Sequence, residues 1–213
     1  MKLSYSFIVA QGVKSLILFL QNSWGSIQHP YNTYRKLAAG KNSIQVIPLF
    51  LLCLIYFGWT TLIHVGLRSH PLLVSFNFVK LTIAFVATFF LVIGALFLVS
   101  RLFGGKGTLQ NLFLPWSYSL MPTLIWFFST SLLWLSFPPP RTASVQGQLL
   151  SFLFIVFSLF LFYWKGVLYY LTLRFGMRLD FFRIAGVSLV IFPLGALYAV
   201  ILYRVGIFRI PFI

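Results

Sequence analysis

Five long apolar runs, each about the length needed to cross a bilayer, constrain this chain more than any other feature. They lie at Val46–Leu67, Phe78–Val99, Leu112–Leu135, Leu149–Leu168 and Ile184–Tyr203. A helix crossing a hydrocarbon core of about 30 Å needs roughly 20 apolar residues. Turn-forming and basic residues separate the runs: Arg68-Ser69-His70-Pro71, Gly104-Gly105-Lys106-Gly107, Pro138-Pro139-Pro140-Arg141 and Arg174-Phe175-Gly176-Met177-Arg178. The chain is 60% hydrophobic and 8% charged. A water-soluble domain carries about 25% charged residues, so the surrounding medium must be largely lipid. The expected fold is all-α, a polytopic membrane bundle of about five transmembrane helices.

The first 45 residues follow a different pattern. Val9, Val13, Leu16, Ile17, Leu20, Trp24 and Ile27 recur at three- and four-residue spacing, with Gln11, Lys14, Ser15 and Asn22 mainly on the other side. This predicts an N-terminal amphipathic helix lying in the membrane interface. Leu18 on the polar side leaves a sixth, marginal span as the alternative. Gln11, Gly12 and Lys14 interrupt any signal-peptide core and no A-x-A-like site follows, so the N-terminus reads as retained. His29-Pro30 breaks the helix, and Tyr31–Lys41 reads as a short polar stretch. Residues 1–45 are then a cytoplasmic N-terminal segment, and residues 46–213 a five-span domain.

Orientation follows from Lys and Arg placement. With alternating helices, Lys2, Lys14, Arg35, Lys36, Lys41, Arg101, Lys106, Arg174, Arg178 and Arg183 share one side, ten in all. Arg68, Lys80, Arg141, Arg204 and Arg209, five in all, share the other. Lys165 is expected in the last turn of the fourth span, snorkelling to the first side. The positive-inside rule places the N-terminus in the cytoplasm and the C-terminus outside.

Most site chemistry lacks its residues. Asp180 is the only acid, so paired-carboxylate catalysis is excluded. Cys53 is the sole cysteine, and His64 with His70 lack a third zinc ligand. Ser129, Thr130 and Ser131 lack a G-x-S-x-G context. Gly104-Gly105-Lys106-Gly107-Thr108 lacks phosphate-loop spacing and a nearby acid for Mg²⁺. No enzyme activity, cofactor or metal is expected. The basic residues sit in short connectors, which argues for anionic lipid headgroups over nucleic acid. Arg101, Lys106, Arg174, Arg178 and Arg183 are the candidate contacts for such lipid, or for a partner protein, at the cytoplasmic face. Pro122 and Pro193 stand at similar depths and read either as packing kinks or as discontinuous helices around a transport site. Gly195-x-x-x-Ala199 fits homo- or hetero-oligomer contact, or packing within the bundle.

Leu102-Phe103-Gly104-Gly105-Lys106-Gly107-Thr108-Leu109, followed by Tyr118-Ser119-Leu120-Met121-Pro122, resembles the hallmark of the Yip-one domain family of Ypt/Rab-interacting membrane proteins. The motif residues are Gly104, Gly105, Lys106, Gly107 and Pro122. Pro30 with Thr33, Tyr34 and Arg35, and Trp164 with Phe181-Phe182-Arg183-Ile184-Ala185 toward Pro193, also resemble the family pattern. The resemblance implies a five-span bundle with a cytoplasmic N-terminus and a membrane-organising role, and it carries over no catalytic residue. Only about 45 residues precede the first span, so the chain looks like the compact prokaryotic branch and departs from the Rab-binding relatives. The expected function is a non-enzymatic membrane adaptor or scaffold, with a permease for a neutral or anionic solute as the alternative. The expected location is the plasma membrane, or Golgi and ER membranes in a eukaryote.

This topology predicts that a cysteine placed at Arg141 in a Cys53→Ser background reacts with an impermeant thiol reagent added outside. Labelling only from the cytoplasmic side would contradict it.

Overall fold

The computed structural model describes residues 5–40, 42–65, 70–136 and 144–207. Among these it forms eight α-helices and no strand: α1 Tyr5–Gln28, α2 Pro30–Ala39, α3 Ile47–Val65, α4 Pro71–Leu102, α5 Leu109–Tyr118, α6 Met121–Ser136, α7 Val145–Leu171 and α8 Phe181–Arg204. A 3-10 turn, Ser43–Val46, leads into α3, and a π-turn, Thr172–Gly176, follows α7. Five segments are long and apolar enough to span: Ser43–Ile63, Pro71–Leu102, Leu109–Ser136, Val145–Gly176 and Phe181–Arg204. Each overlaps one predicted run. The Pro138–Arg141 turn, the Arg68-Ser69 step, Lys2, Lys41 and Arg209 lie outside the described residues.

The third span is two helices. Pro122 has no N–H to offer the Tyr118 carbonyl, so the hydrogen-bond ladder stops there. Ser119 N–H closes α5 onto the Pro115 and Trp116 carbonyls, and Leu124 N–H opens the α6 ladder on the Leu120 carbonyl. Pro122 therefore stands in the first turn of a new helix, where proline is tolerated. Pro193 lies inside the continuous α8.

The chain divides into two compact units. The first comprises the described parts of Met1–Cys53, Val92–Ser119 and Leu168–Phe192. In it α2 packs against α1, α5 and the π-turn, and α1 packs against the 3-10 turn. The expected polar stretch after His29 is in fact helix α2. Pro30 starts it, Gly40 ends it, and Thr33, Tyr34, Leu37 and Ala38 form its buried face. That helical spacing was present in the sequence, but the charges of Arg35 and Lys36 masked it.

Helix α1 turns its apolar stripe outward. Val13, Leu16, Ile17, Leu20, Trp24 and Ile27 are 49–61% exposed. Ser15, Phe19 and Ser26 are buried on the opposite side. There Ser15 Oγ donates to the Ile44 carbonyl at 2.9 Å, and Asn22 Nδ2 donates to Gln45 Oε1 at 2.7 Å. In lipid this arrangement is favourable: polar groups find partners inside, and apolar ones need no shelter. Ile44 and Gln45 belong to the first turn of the first span, so these bonds tie α1 to the level where that span begins.

The second unit comprises the described parts of Leu54–Leu91, Leu120–Val167 and Pro193–Ile213. Aromatic rings fill it. Tyr56 lies 5.3 Å from Phe127 and 5.4 Å from Phe128, and Phe57 lies 5.3 Å from Phe85, centroid to centroid. Polar bonds tie its helices: Thr88 Oγ1 with Tyr198 Oη at 2.7 Å, and Lys80 Nζ to the Gly206 carbonyl at 3.3 Å. Such bonds and close ring packing take the place of the hydrophobic effect, which is absent between helices in lipid. A Cβ built on Gly195 would meet nothing within 4 Å, so Gly195 itself makes no close helix contact among the described residues, while Ala199 is half-buried. The expectation for Lys165 is corrected. The fourth helical segment runs on to Gly176, so Lys165 stands before its last turn. Its Nζ bonds Thr123 Oγ1 at 2.7 Å.

Spin labels placed singly along residues 13–24 in bilayers should show lipid accessibility with a period near 3.6, high at Leu16 and Leu20 and low at Ser15 and Phe19. A steady depth gradient along α1 would instead mean a sixth span.

Candidate functional site

The first unit brings together the two connectors that carry the basic candidates. The first connector begins where α4 ends. Gly104 adopts φ +82°, its N–H donates to the Arg101 carbonyl at 3.0 Å, and Gly105 N–H reaches back to the Ser100 carbonyl at 2.8 Å. This is the Schellman closure that glycine permits at a helix end. Thr108 then caps α5, its Oγ1 accepting from Asn111 N–H at 3.3 Å.

The second connector is the π-turn with Met177, Arg178, Leu179 and Asp180. Arg178 is the one non-glycine with positive φ among the described residues, at +57°. A left-handed residue of this kind costs roughly 1–2 kcal/mol, so the surroundings must hold it. They do so through backbone contact. Lys106 N–H donates to the Met177 carbonyl at 3.0 Å. Gly107 lies directly on the backbone of Gly176, and a Cβ there would overlap the Gly176 carbonyl. A Cβ on Gly176 would stand 3.0 Å from the Asn111 carbonyl oxygen and 3.2 Å from Leu112 Cα. Glycine is required at 107 for this close approach, whatever its φ, while at 176 a Cβ would fit only if the backbone beside it gave way slightly.

The cations ride on this joint. Arg183, at the start of α8, lays its guanidinium over Gly104, with Nη1 3.2 Å from where a Cβ would be. Arg101 stands over the Phe97 ring, 5.2 Å from its centroid. Arg174 lies 4.0 Å from Asp180, the outer limit of an ion pair, and Asp180 is largely exposed, so solvent screening leaves that pair weak. Lys106, Arg178, Arg183 and Arg101 are exposed, and Arg174 is half-buried. Two further cations went unnoticed as site residues. Arg35 and Lys36 lie exposed on α2, which packs on the π-turn, where the Tyr31 and Phe175 rings meet edge to face at 4.9 Å. The spacing of Thr33, Tyr34, Leu37 and Ala38 already put these two cations on the opposite face. Among the motif residues, Gly104, Gly105, Lys106 and Gly107 form the joint, while Pro122 serves the helix break.

Beneath this face lies a polar core. Tyr34 is wholly buried. Its hydroxyl has no hydrogen-bond partner among the described residues. Burial, and secondarily Tyr118, pushes its pKa well above the usual tyrosine value, so it stays neutral. Among the described residues no group of three metal-ligating side chains occurs. The arrangement presents a positive surface on a backbone-locked support.

Compared with known proteins, residues 24–203 match a family model described as Yip1 domain. No curated protein and no solved structure matches the chain.

Gly107→Ala or Gly176→Ala should lower stability by about 1–3 kcal/mol through overpacking. Gly94→Ala, where a Cβ meets nothing within 4 Å, should change it by less than about 1 kcal/mol. Thermal unfolding of the three variants in detergent checks this contrast.

Proposed function

Because the chain belongs to the Yip1 domain family and is a multi-pass membrane protein, we propose that it is a non-enzymatic membrane adaptor or organiser. In this reading residues 1–45 lie on the cytoplasmic side of a plasma-membrane domain formed by residues 46–213. Arg101, Lys106, Arg174, Arg178 and Arg183 contact anionic headgroups there, and the same face docks a protein partner. The observation that carries the reading is the joint itself: the Lys106 N–H bond to the Met177 carbonyl and the Gly107–Gly176 contact hold both basic connectors as one support. The sequence is +15 overall with a single acid, so an anionic counterpart is the complementary chemistry. Each basic residue near an anionic surface contributes about 1 kcal/mol. Association with another copy or another membrane helix through Gly195 and Ala199 belongs to the same reading.

A permease for a neutral or anionic solute draws on one observation, the interrupted third span, since transporters build sites at broken helices. Uptake of a labelled solute into proteoliposomes would favour it.

The adaptor reading predicts that Arg174→Gln/Arg178→Gln/Arg183→Gln lowers enrichment of anionic lipid around the protein in nanodiscs, while a lipid mixture without anions shows no difference. Equal enrichment around wild type and variant would remove the lipid half. Loss of a cellular partner with lipid enrichment intact would favour protein docking.

A further inference from the structure

Three sides of α1 meet three different surroundings. Ser15, Phe19 and Ser26 are buried against the rest of the first unit. Val13, Leu16, Ile17, Leu20, Trp24 and Ile27 form the exposed apolar stripe. Lys14, Gln21 and Gln28 recur every seven residues and so share one side, and all three are exposed. This polar line runs along one flank of the apolar stripe, next to Ile17 and Trp24 at three- and four-residue spacing. A helix at the edge of a bilayer has those three neighbours: protein on one side, lipid on another and water on the third.

The contacts show that α1 crosses the entrance to the first span instead of running beside it. Ser15 and Asn22 lie seven residues apart on α1, about 10 Å along the helix. They bond adjacent residues, Ser15 Oγ the Ile44 carbonyl at 2.9 Å and Asn22 Nδ2 the Gln45 Oε1 at 2.7 Å. Helices lying side by side would pair residues seven apart on one with residues about seven apart on the other, since both rise equally per residue. Between the two anchors Phe19 stacks on Tyr118 at 6.3 Å, and the Tyr118 hydroxyl donates to the Gln45 carbonyl at 3.5 Å. Three anchors along α1 converge at the mouth of the span Ser43–Ile63.

A helix crossing there occupies one leaflet. With 24 residues, α1 is about 36 Å long and about 10 Å across, the footprint of several phospholipids. Among the described residues α1 and α2 are the only helices outside the five spanning segments, and α2 packs on α1, so both add to the same leaflet. Material inserted into one leaflet expands it against the other, and the strain falls where the bilayer is convex on that side. Lys14 is the only charged residue of α1, so apolar area and lipid packing govern the seat of its stripe, not anionic headgroups.

We propose that α1 is a one-leaflet wedge that gathers this protein into membrane convex on the side where α1 lies, its partner being the loosely packed lipid surface there. The wedge rests on the spans that anchor α1, and it is independent of the adaptor reading and of the basic connectors.

The full chain in giant vesicles of phosphatidylcholine tests this. Gln21→Cys in the Cys53→Ser background is labelled by an impermeant dye added outside, so only copies with α1 in the outer leaflet are seen. A narrow tether is then pulled outward, which makes its outer leaflet convex. Label density in the tether, relative to a fluorescent lipid, should exceed that of the parent vesicle by about threefold, roughly one RT. Equal density overturns the proposal without recourse to any further variant. Leu20→Gln/Trp24→Gln should remove the enrichment without moving the unfolding temperature, since both side chains are exposed, and Leu20→Ile/Trp24→Phe should keep it. Enrichment that survives the glutamine pair overturns α1 as its source. Arg174→Gln/Arg178→Gln/Arg183→Gln should leave it in place, and its loss there would assign it to the connectors and overturn the wedge. Energy transfer between labels at position 21 in the flat vesicle, without tether enrichment, would give the stripe to a second copy and overturn the lipid occupant.

Discussion

The backbone contact between Gly107 and Gly176 is the interaction on which the first unit turns. With no side chain on either residue, two connectors meet at their main chains, and the Lys106 N–H is delivered to the Met177 carbonyl. That bond satisfies groups that a π-turn and a helix end would otherwise leave open. It holds Arg178 in its left-handed conformation and sets the start of α8, from which Arg183 reaches back over Gly104. Helix α2 then packs on the same π-turn. One added methyl group at either glycine would press on backbone, which has little freedom to yield.

Lipid as solvent explains the rest of the packing. Helix α1 is amphipathic, yet its Ser15 and Asn22 point inward to Ile44 and Gln45 while Val13, Leu16, Ile17, Leu20, Trp24 and Ile27 face outward. In water the opposite orientation would win, because apolar burial is the main driving force. In a membrane the expense lies in an unpaired polar group. The same rule pairs Thr88 with Tyr198 and Trp126 with Ser158.

Membership of the Yip1 domain family fits a chain of five apolar spans whose connectors carry a positive surface. The family's glycine motif has a physical role here. Gly104 and Gly105 close a helix, Gly107 admits the neighbouring backbone, and Lys106 lends its N–H to the joint while its side chain stays exposed. The motif is therefore first a device for joining connectors, and its cation is presented by that device.

The five spans, the lopsided charge and the glycine motif were legible in the sequence, because hydropathy over about 20 residues and the special geometry of glycine are local properties. The break at Pro122 was half legible: proline announces a lost hydrogen bond, but whether a helix continues through it, as α8 does at Pro193, or restarts, as α6 does, depends on what its neighbours allow. Helix α2 was hidden because Arg35 and Lys36 made a half-buried helix look like a polar linker. The pairing of Gly107 with Gly176, the inward turn of the α1 polar face and the seat of Lys165 on Thr123 were not readable at all. Each joins residues far apart in the chain, so composition and periodicity carry no signal for it. The sequence by itself determined that this protein lives in a membrane and which segments cross it, since the transfer of each segment into lipid is set by that segment's own residues. Only the tertiary structure decided which polar groups meet inside, because that depends on the distance between helices and not on their order along the chain.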